Sequence, residues 1–192
     1  MSYATLTSAI FATGGVRGAN SSLVFTDGGS GLPPAQLYST ASYQAHNLNG
    51  IKLYGHSLNN GVNLSGQDLT DADIRYENLN NANFSNANLT NAIVWAGLTG
   101  ANFSGAIIRG AEFTAITKEQ IYATASYQTR DLTGIRLQYN SEFVGIDLSG
   151  QKLTGAILNF ANLTGADLSH ADLTIADFSG VAYCDEYTCY EY

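Results

Sequence analysis

A large apolar side chain returns at every fifth position along most of this chain. An α-helix needs apolar residues at i, i+3 and i+4, and a simple strand needs them at every second place, so neither element puts this pattern on one buried face. The clearest stretch is Ala161–Gly180, ANLTGADLSHADLTIADFSG. It holds four copies of one sentence: a small residue, Asn or Asp, Leu or Phe, Ser or Thr, then a variable fifth residue. A short period sustained over a chain is the signature of a solenoid whose successive turns bury a shared core.

One series of large residues runs Leu64, Leu69, Ile74, Leu79, Phe84, Leu89 and Val94. After a four-residue step it continues through Leu98, Phe103, Ile108 and Phe113. A second runs Leu148, Leu153, Leu158, Leu163, Leu168, Leu173 and Phe178, and Ala commonly stands two residues before each large one. Local alternation puts the small and the large residue on one face and the Asn or Asp between them on the other. The pattern resembles the pentapeptide-repeat family, whose motif is written A(D/N)LXX. The resemblance implies an all-β solenoid, a right-handed quadrilateral parallel β-helix in which four pentapeptides make one square coil. Counting central positions predicts about eight coils, a rod of roughly 35–40 Å at ~4.8 Å per coil. Stacked Leu columns, at roughly 25 cal/mol per Å² of buried apolar surface, supply most of the favourable free energy.

The repeat register begins almost at Met1, with Ala4-Thr5-Leu6, Ala9-Ile10-Phe11, Gly14-Gly15-Val16 and Ala19-Asn20-Ser21, and predicts a first coil with no cap before it. A glycine-rich loop, Ser22–Gly31, follows. Then QLYSTASYQAHNLNGIKL at Gln36–Leu53 recurs as QIYATASYQTRDLTGIRL at Gln120–Leu137, an internal duplication over 36–74 and 120–158. Pro33-Pro34 suits a helix start, and Thr117-Lys118-Glu119-Gln120 has capping-box form. Two short helical insertions are therefore expected at about 33–43 and 117–127, each replacing two faces of a coil. Residues 1–182 read as one domain, and 183–192 as a separate tail.

Some positions break the rule. Gln67, Glu77 and Gln151 fall where Ala belongs, Val62 and Ile146 are large for that slot, and an extra residue precedes both Leu64 and Leu148. Departures shared by both copies point to a local packing solution and to a bulge at equivalent corners. Phe143 rather than Glu142 should face inward, on desolvation grounds.

The net charge of −8 argues against direct nucleic-acid binding, which rests on Lys and Arg neutralising phosphates. No apolar run is long enough to span a bilayer, and no secretion-signal pattern opens the chain. No catalytic constellation, metal-ligand spacing or cofactor motif stands out: His46, His56 and His170 are scattered, and Asp27–Gly31 lacks a following Lys-Ser/Thr. The tail holds the two cysteines, Cys184 and Cys189, whose spacing permits a disulfide-closed loop in an oxidising compartment. That pair, with scarce lysine and an Asn/Ser/Thr/Gly-rich surface, leans toward an extracellular setting. After Lys152 every charged side chain is acidic. Asp167, Asp172 and Asp177, joined by Tyr183, Tyr187 and Tyr190, form a candidate interaction pole for a basic protein surface.

Two functional expectations follow. The first is a non-enzymatic structural or interaction scaffold that self-assembles end to end, because a β-helix terminates in strands with unpaired backbone groups and this chain's N-terminal end is expected to be poorly blunted. The second comes from the resemblance: some members of the family imitate B-DNA and occupy a type II topoisomerase such as gyrase. Against it stand the two insertions and Arg17, Arg75, Arg109, Arg130 and Arg136, which dilute the acidity.

Overall fold

Parallel backbone pairing in the computed structural model, which describes Gly15, Arg17 and residues 34–53, 58, 60–184 and 189–191, joins positions one coil apart. Asn63 pairs with Asn83, Asp68 with Asn88, Asp147 with Asp167 and Lys152 with Asp172, each twenty residues on. Four pentapeptides therefore make one turn of a parallel β-helix. One face is a continuous ladder of Lys52, Asp73, Ile93, Glu112, Arg136, Ile157 and Asp177, including β1 (Ile93–Val94) on β2 (Glu112–Phe113). At ~4.8 Å per step these rungs span about 29 Å.

Each departure from twenty has a cause in the sequence. Asn78↔Gly97, Asn83↔Asn102 and Asn88↔Ile107 are nineteen apart, across the four-residue step from Val94 to Leu98. Asn47↔Asp68 and Asp131↔Lys152 are twenty-one apart, across the extra residue before Leu64 and Leu148. Glu112↔Arg136 is twenty-four apart because the coil between them carries helices.

The corners explain the composition. The Oδ1 of Asn or Asp accepts the backbone N–H two residues on, as from Asn83 to Ser85 at 3.0 Å, Asn102 to Ser104 at 2.9 Å and Asp167 to Ser169 at 2.8 Å. Where Thr stands there, its hydroxyl donates to the same oxygen, at 2.6 Å for Thr90 to Asn88. This Asx turn satisfies a donor the corner would leave free. The fifth residue then takes a left-handed conformation, with φ 56° at Asp71 and Asn81, 57° at Asn86, 70° at Gly105 and 66° at Gly155. Gly, Asn and Asp suit that region, while other residues there cost roughly 1–2 kcal/mol.

Inside, Leu69, Ile74, Leu79, Phe84, Leu89 and Val94 and their alanine partners are fully buried. Phe84 stacks on Phe103 one coil up with centroids 5.0 Å apart, and Phe103 meets Phe113 edge to face at 5.7 Å. Phe143 is buried and Glu142 exposed. Glu77, also buried, accepts the Leu58 N–H at 2.8 Å. Burial falls off only at the end: Leu163 is 8% exposed and Leu173 39%, because Leu173 belongs to the last coil.

The insertions are helix pairs: α1 (Pro34–Tyr38) with α2 (Ala41–Gln44), and α3 (Lys118–Tyr122) with α4 (Ala125–Gln128). Thr40 and Thr124 cap α2 and α4, and Thr117 with Gln120 forms a reciprocal capping box on α3. A helix uses its own backbone groups and has no edge to offer the coil above. Tyrosines supply the missing partners. The Tyr38 hydroxyl accepts the Asn63 N–H at 2.7 Å, and the Tyr43 hydroxyl donates to the Asn63 carbonyl at 2.9 Å. Tyr122 and Tyr127 do the same for Asp147, at 2.7 and 2.9 Å. The Gln67 and Gln151 amides, in alanine slots, donate to the Tyr43 and Tyr127 carbonyls at 3.1 Å each.

Burial raises the Tyr43 hydroxyl above the usual tyrosine range, with Tyr38 adding to it; burial likewise raises Tyr127, with Asp147 and Tyr122 adding. A raised folded pKa gives stability that is complete below the ordinary tyrosine range and is lost as pH climbs through the raised value. The wild type should therefore lose stability in alkali, and Tyr43→Phe with Tyr127→Phe should flatten that dependence while costing about 0.5–1 kcal/mol per site at neutral pH, read by urea unfolding. In the same assay Leu153→Ala should cost about 3 kcal/mol or more, and the half-exposed Leu173→Ala much less.

Candidate interaction surface

The last coil carries the acidic residues singled out in the sequence. Asp167, Asp172 and Asp177 pair with Asp147, Lys152 and Ile157 on three successive faces, so they ring the rod rather than line one side. All three are exposed. Each carboxylate accepts the N–H two residues on, from Ser169 at 2.8 Å, Thr174 at 3.0 Å and Ser179 at 2.9 Å. The Ser169 backbone and side chain hold Asp167 below the usual carboxylate range, the Thr174 hydroxyl and backbone do so for Asp172, and the Ser179 backbone and hydroxyl for Asp177.

The edge of this coil matters more than its charge. In lower coils the N–H of each central residue donates upward to the carbonyl of the next coil's Asn or Asp: Leu148 to Asp167 at 2.7 Å, Leu153 to Asp172 at 2.9 Å, Leu158 to Asp177 at 2.8 Å. The corresponding groups of Leu168, Leu173 and Phe178 have no further coil above them among the described residues. Leu168 and Phe178 are only half-buried, and Leu173 is exposed beside them. Among the described residues the coil thus ends on a partly exposed apolar column whose central N–H groups meet no further coil.

Beyond it the backbone forms a hairpin of β3 (Ala182–Cys184) and β4 (Cys189–Glu191), antiparallel, with Cys184 directly opposite Cys189. The Tyr183 and Tyr190 backbones pair within it. Tyr187, His56, the Ser22–Gly31 loop and most of the expected first coil lie outside the described residues. The one contact described from that coil is the Arg17 N–H on the Ser42 Oγ at 3.3 Å. His46 and His170 are exposed corner residues, with φ of 54° and 60°. No group of three or more His, Cys, Asp or Glu able to hold a metal occurs among the described residues, and no helix is long and apolar enough to cross a membrane.

The sequence places the Gly or Asn of the repeat at tight corners but does not extend that role to every fifth residue. The fifth position reads as variable, yet it is the left-handed corner, so bulky residues there stand out: Tyr76, Tyr139, Phe160 and Ile175, with φ between 52° and 63°. Ile175 is the extreme case, β-branched and 83% exposed. The signal available was the Gly and Asn bias of the other fifth residues.

The profile of pentapeptide repeats matches in eight copies, over residues 68–95 and 141–180. Among solved structures, the chain is similar to HetL, a pentapeptide-repeat protein involved in heterocyst differentiation regulation in the cyanobacterium Nostoc sp. strain PCC 7120. That match has 27% identity, 75% of this chain, 64% of HetL and a TM-score of 0.33. It is also similar to QnrB1, a plasmid-mediated fluoroquinolone resistance protein, with 18% identity, 70% of this chain, 66% of that one and a TM-score of 0.25. A pentapeptide-repeat protein of the Arabidopsis thaliana thylakoid lumen matches at 19% identity, over 73% of this chain and 66% of that one, with a TM-score of 0.13. The aligned region thus spans slightly under two thirds of each of these proteins. No curated protein matches the chain.

Because Asn makes the same Asx turn as Asp, the triple change Asp167→Asn, Asp172→Asn and Asp177→Asn should leave the neutral-pH melting temperature within a few degrees of wild type. A depressed carboxylate gives stability present above the ordinary carboxylate range and lost as pH falls through the lowered value. The triple variant should accordingly lose less stability than wild type on acidification, as followed by thermal melts across the acid range.

Proposed function

We propose, from the premise that this chain belongs to the pentapeptide-repeat family, that it is a non-enzymatic structural or protein-interaction scaffold that assembles with copies of itself through coil ends. In this reading the solenoid is right-handed and quadrilateral, with about eight coils once the segment before α1 is counted. The observation that carries the proposal is the open last coil, with Leu173 39% exposed and no coil above Leu168, Leu173 and Phe178 among the described residues. A second rod laid on that edge continues the hydrogen-bond ladder and covers the apolar column in one step. Contact between unlike ends does not close on itself, so it propagates into a filament. The hairpin of β3 and β4, with a Cys184–Cys189 disulfide closing it, and the ring of Asp167, Asp172 and Asp177 are taken as one contact pole, to which the tyrosines of the tail are assigned from the sequence. A basic protein surface is the other partner this pole suits, and the disulfide fits an extracellular site of action.

A second reading takes the rod as an acidic imitation of duplex DNA that binds a type II topoisomerase such as gyrase. The net charge of −8 favours it. The pairing of Arg75 with Asp73, Arg109 with Asp131 and Arg136 with Glu112, and the helix pairs interrupting the rod, weigh against it.

Light scattering and negative-stain microscopy over a wide concentration range should show particles that lengthen with concentration, and Leu173→Asp should abolish the growth while the protein stays folded. A monodisperse monomer at high concentration contradicts assembly. Inhibition of gyrase supercoiling at micromolar protein would favour the second reading instead.

A further inference from the structure

We infer that one corner of the rod, carrying Tyr76, Trp95, Tyr139 and Phe160, is a binding strip for a neutral polysaccharide. The corner follows the longest ladder. Two and three residues past its rungs come Arg75 and Tyr76, then Trp95, then Thr114 and Ala115, then Gln138 and Tyr139, then Asn159 and Phe160, and finally Ser179 and Gly180. Tyr76, Tyr139 and Phe160 take the left-handed position, with φ of 63°, 59° and 58°, where the rest of the chain favours Gly and Asn. They are 60%, 69% and 48% exposed, so folding gains little from them. Bulky rings at a conformation that disfavours them, left in water and gathered on one edge, point to a task other than packing.

The arrangement suits sugar rings. Tyr139 and Phe160 stack with planes within 1° and centroids 5.0 Å apart. Phe160 in turn lies over Gly180, where a Cβ would strike its ring. In the other direction, one coil below Tyr139, Thr114 and Ala115 are both exposed. Beyond them Trp95 and Tyr76 meet edge to face at 6.4 Å, with the Arg75 guanidinium 5.3 Å from the Trp95 ring. Two aromatic groups thus flank a shelf of small residues one coil high, about 5 Å. Hydrogen-bonding groups at its surface come from the exposed Thr114 and Tyr139, while Trp95 Nε1 and Asn159 Oδ1 are buried beneath it. The cations beside it are already compensated: Arg75 holds both oxygens of Asp73 at 2.8 Å, and Arg136 reaches Glu112 at 3.5 Å. Rings, amides and hydroxyls without net charge offer apolar faces to the C–H side of a pyranose and hydrogen bonds to its hydroxyls. A nucleic acid would need uncompensated cations, and an amphipathic protein helix would need a continuous aliphatic surface, which Thr114, Gln138 and Asn159 interrupt.

The test uses variants that suit the corner. Tyr76→Asn, Tyr139→Asn and Phe160→Asn place the repeat's own corner residue at each site, so the combined variant should fold; Ile175→Asn, on another corner, is the control. Wild type and Ile175→Asn should be retained on at least one of microcrystalline cellulose, chitin and starch granules, with retention at least tenfold lower for the combined variant. Soluble oligosaccharides of the retained glycan should change the fluorescence of Trp95, the sole tryptophan. The inference is overturned if wild type binds none of the three, if the combined variant binds as well as wild type, or if Trp95 emission is unmoved by saturating oligosaccharide. It is overturned equally if the variant alters particle size without altering glycan retention, since the strip would then contact another copy. End-to-end assembly is read by particle size, so either proposal can fail alone.

Discussion

A corner every five residues is the constraint on which this molecule depends. The chain must turn sharply, leave no backbone donor unpaired, and return a large side chain to the inside, all within one pentapeptide. The Asx turn does the first two: the Asn or Asp oxygen takes the N–H two residues on, and the next residue swings into the left-handed region. With the corners fixed, alternation sends Leu and Ala inward, and four such turns bring the strand back over itself in register. Burial then follows, with Leu69, Phe84 and Leu89 fully excluded from water. Neither the column nor the ladder could form if the corners were loose.

That division of labour explains how the coil tolerates an insertion. The helices of each pair interrupt two faces, and a ladder cannot cross a helix. The fold replaces the lost backbone partners with side chains: two tyrosine hydroxyls for one strand residue, and a glutamine in place of an alanine to hold the tyrosine carbonyl. The same set recurs around Asp147, atom for atom. Buried Gln in an alanine column, odd in isolation, is thus part of one device with the SYQ sequence that precedes it.

Much of this was legible in the residues. The five-residue period gave the coil, the four-residue step after Val94 gave the nineteen-residue spacing, and the extra residue before Leu64 gave twenty-one. Gln67 and Gln151 announced a shared local solution, but not its partners, because a contact between a helix and a strand two dozen residues away leaves no periodic trace. That the corner role extends to every fifth residue, and not only to its Gly and Asn, was hidden for a different reason. Left-handed backbone favours Gly and Asn without demanding them, so a position holding Gly, Asn, His, Tyr, Phe and Ile reads as unconstrained. The aromatic strip was invisible for the same reason, since its successive members are one or two coils apart in sequence and meet only when the coil is wound. The open end, in contrast, depends on what lies above the last coil, which no repeat can report.

Apolar columns and open ladders are the same property seen at the middle and at the end of the rod. Among the described residues, a coil in the interior is paired on both sides and the last on one. Residue-resolved amide hydrogen exchange measures this directly. The account predicts strong protection at Leu69, Leu89, Leu148, Leu153 and Leu158, rapid exchange at Leu168, Leu173 and Phe178 in dilute protein, and a rise in protection at those three residues as concentration increases. Strong protection of Leu168, Leu173 and Phe178 in dilute monomer, or rapid exchange along the interior column, would contradict it.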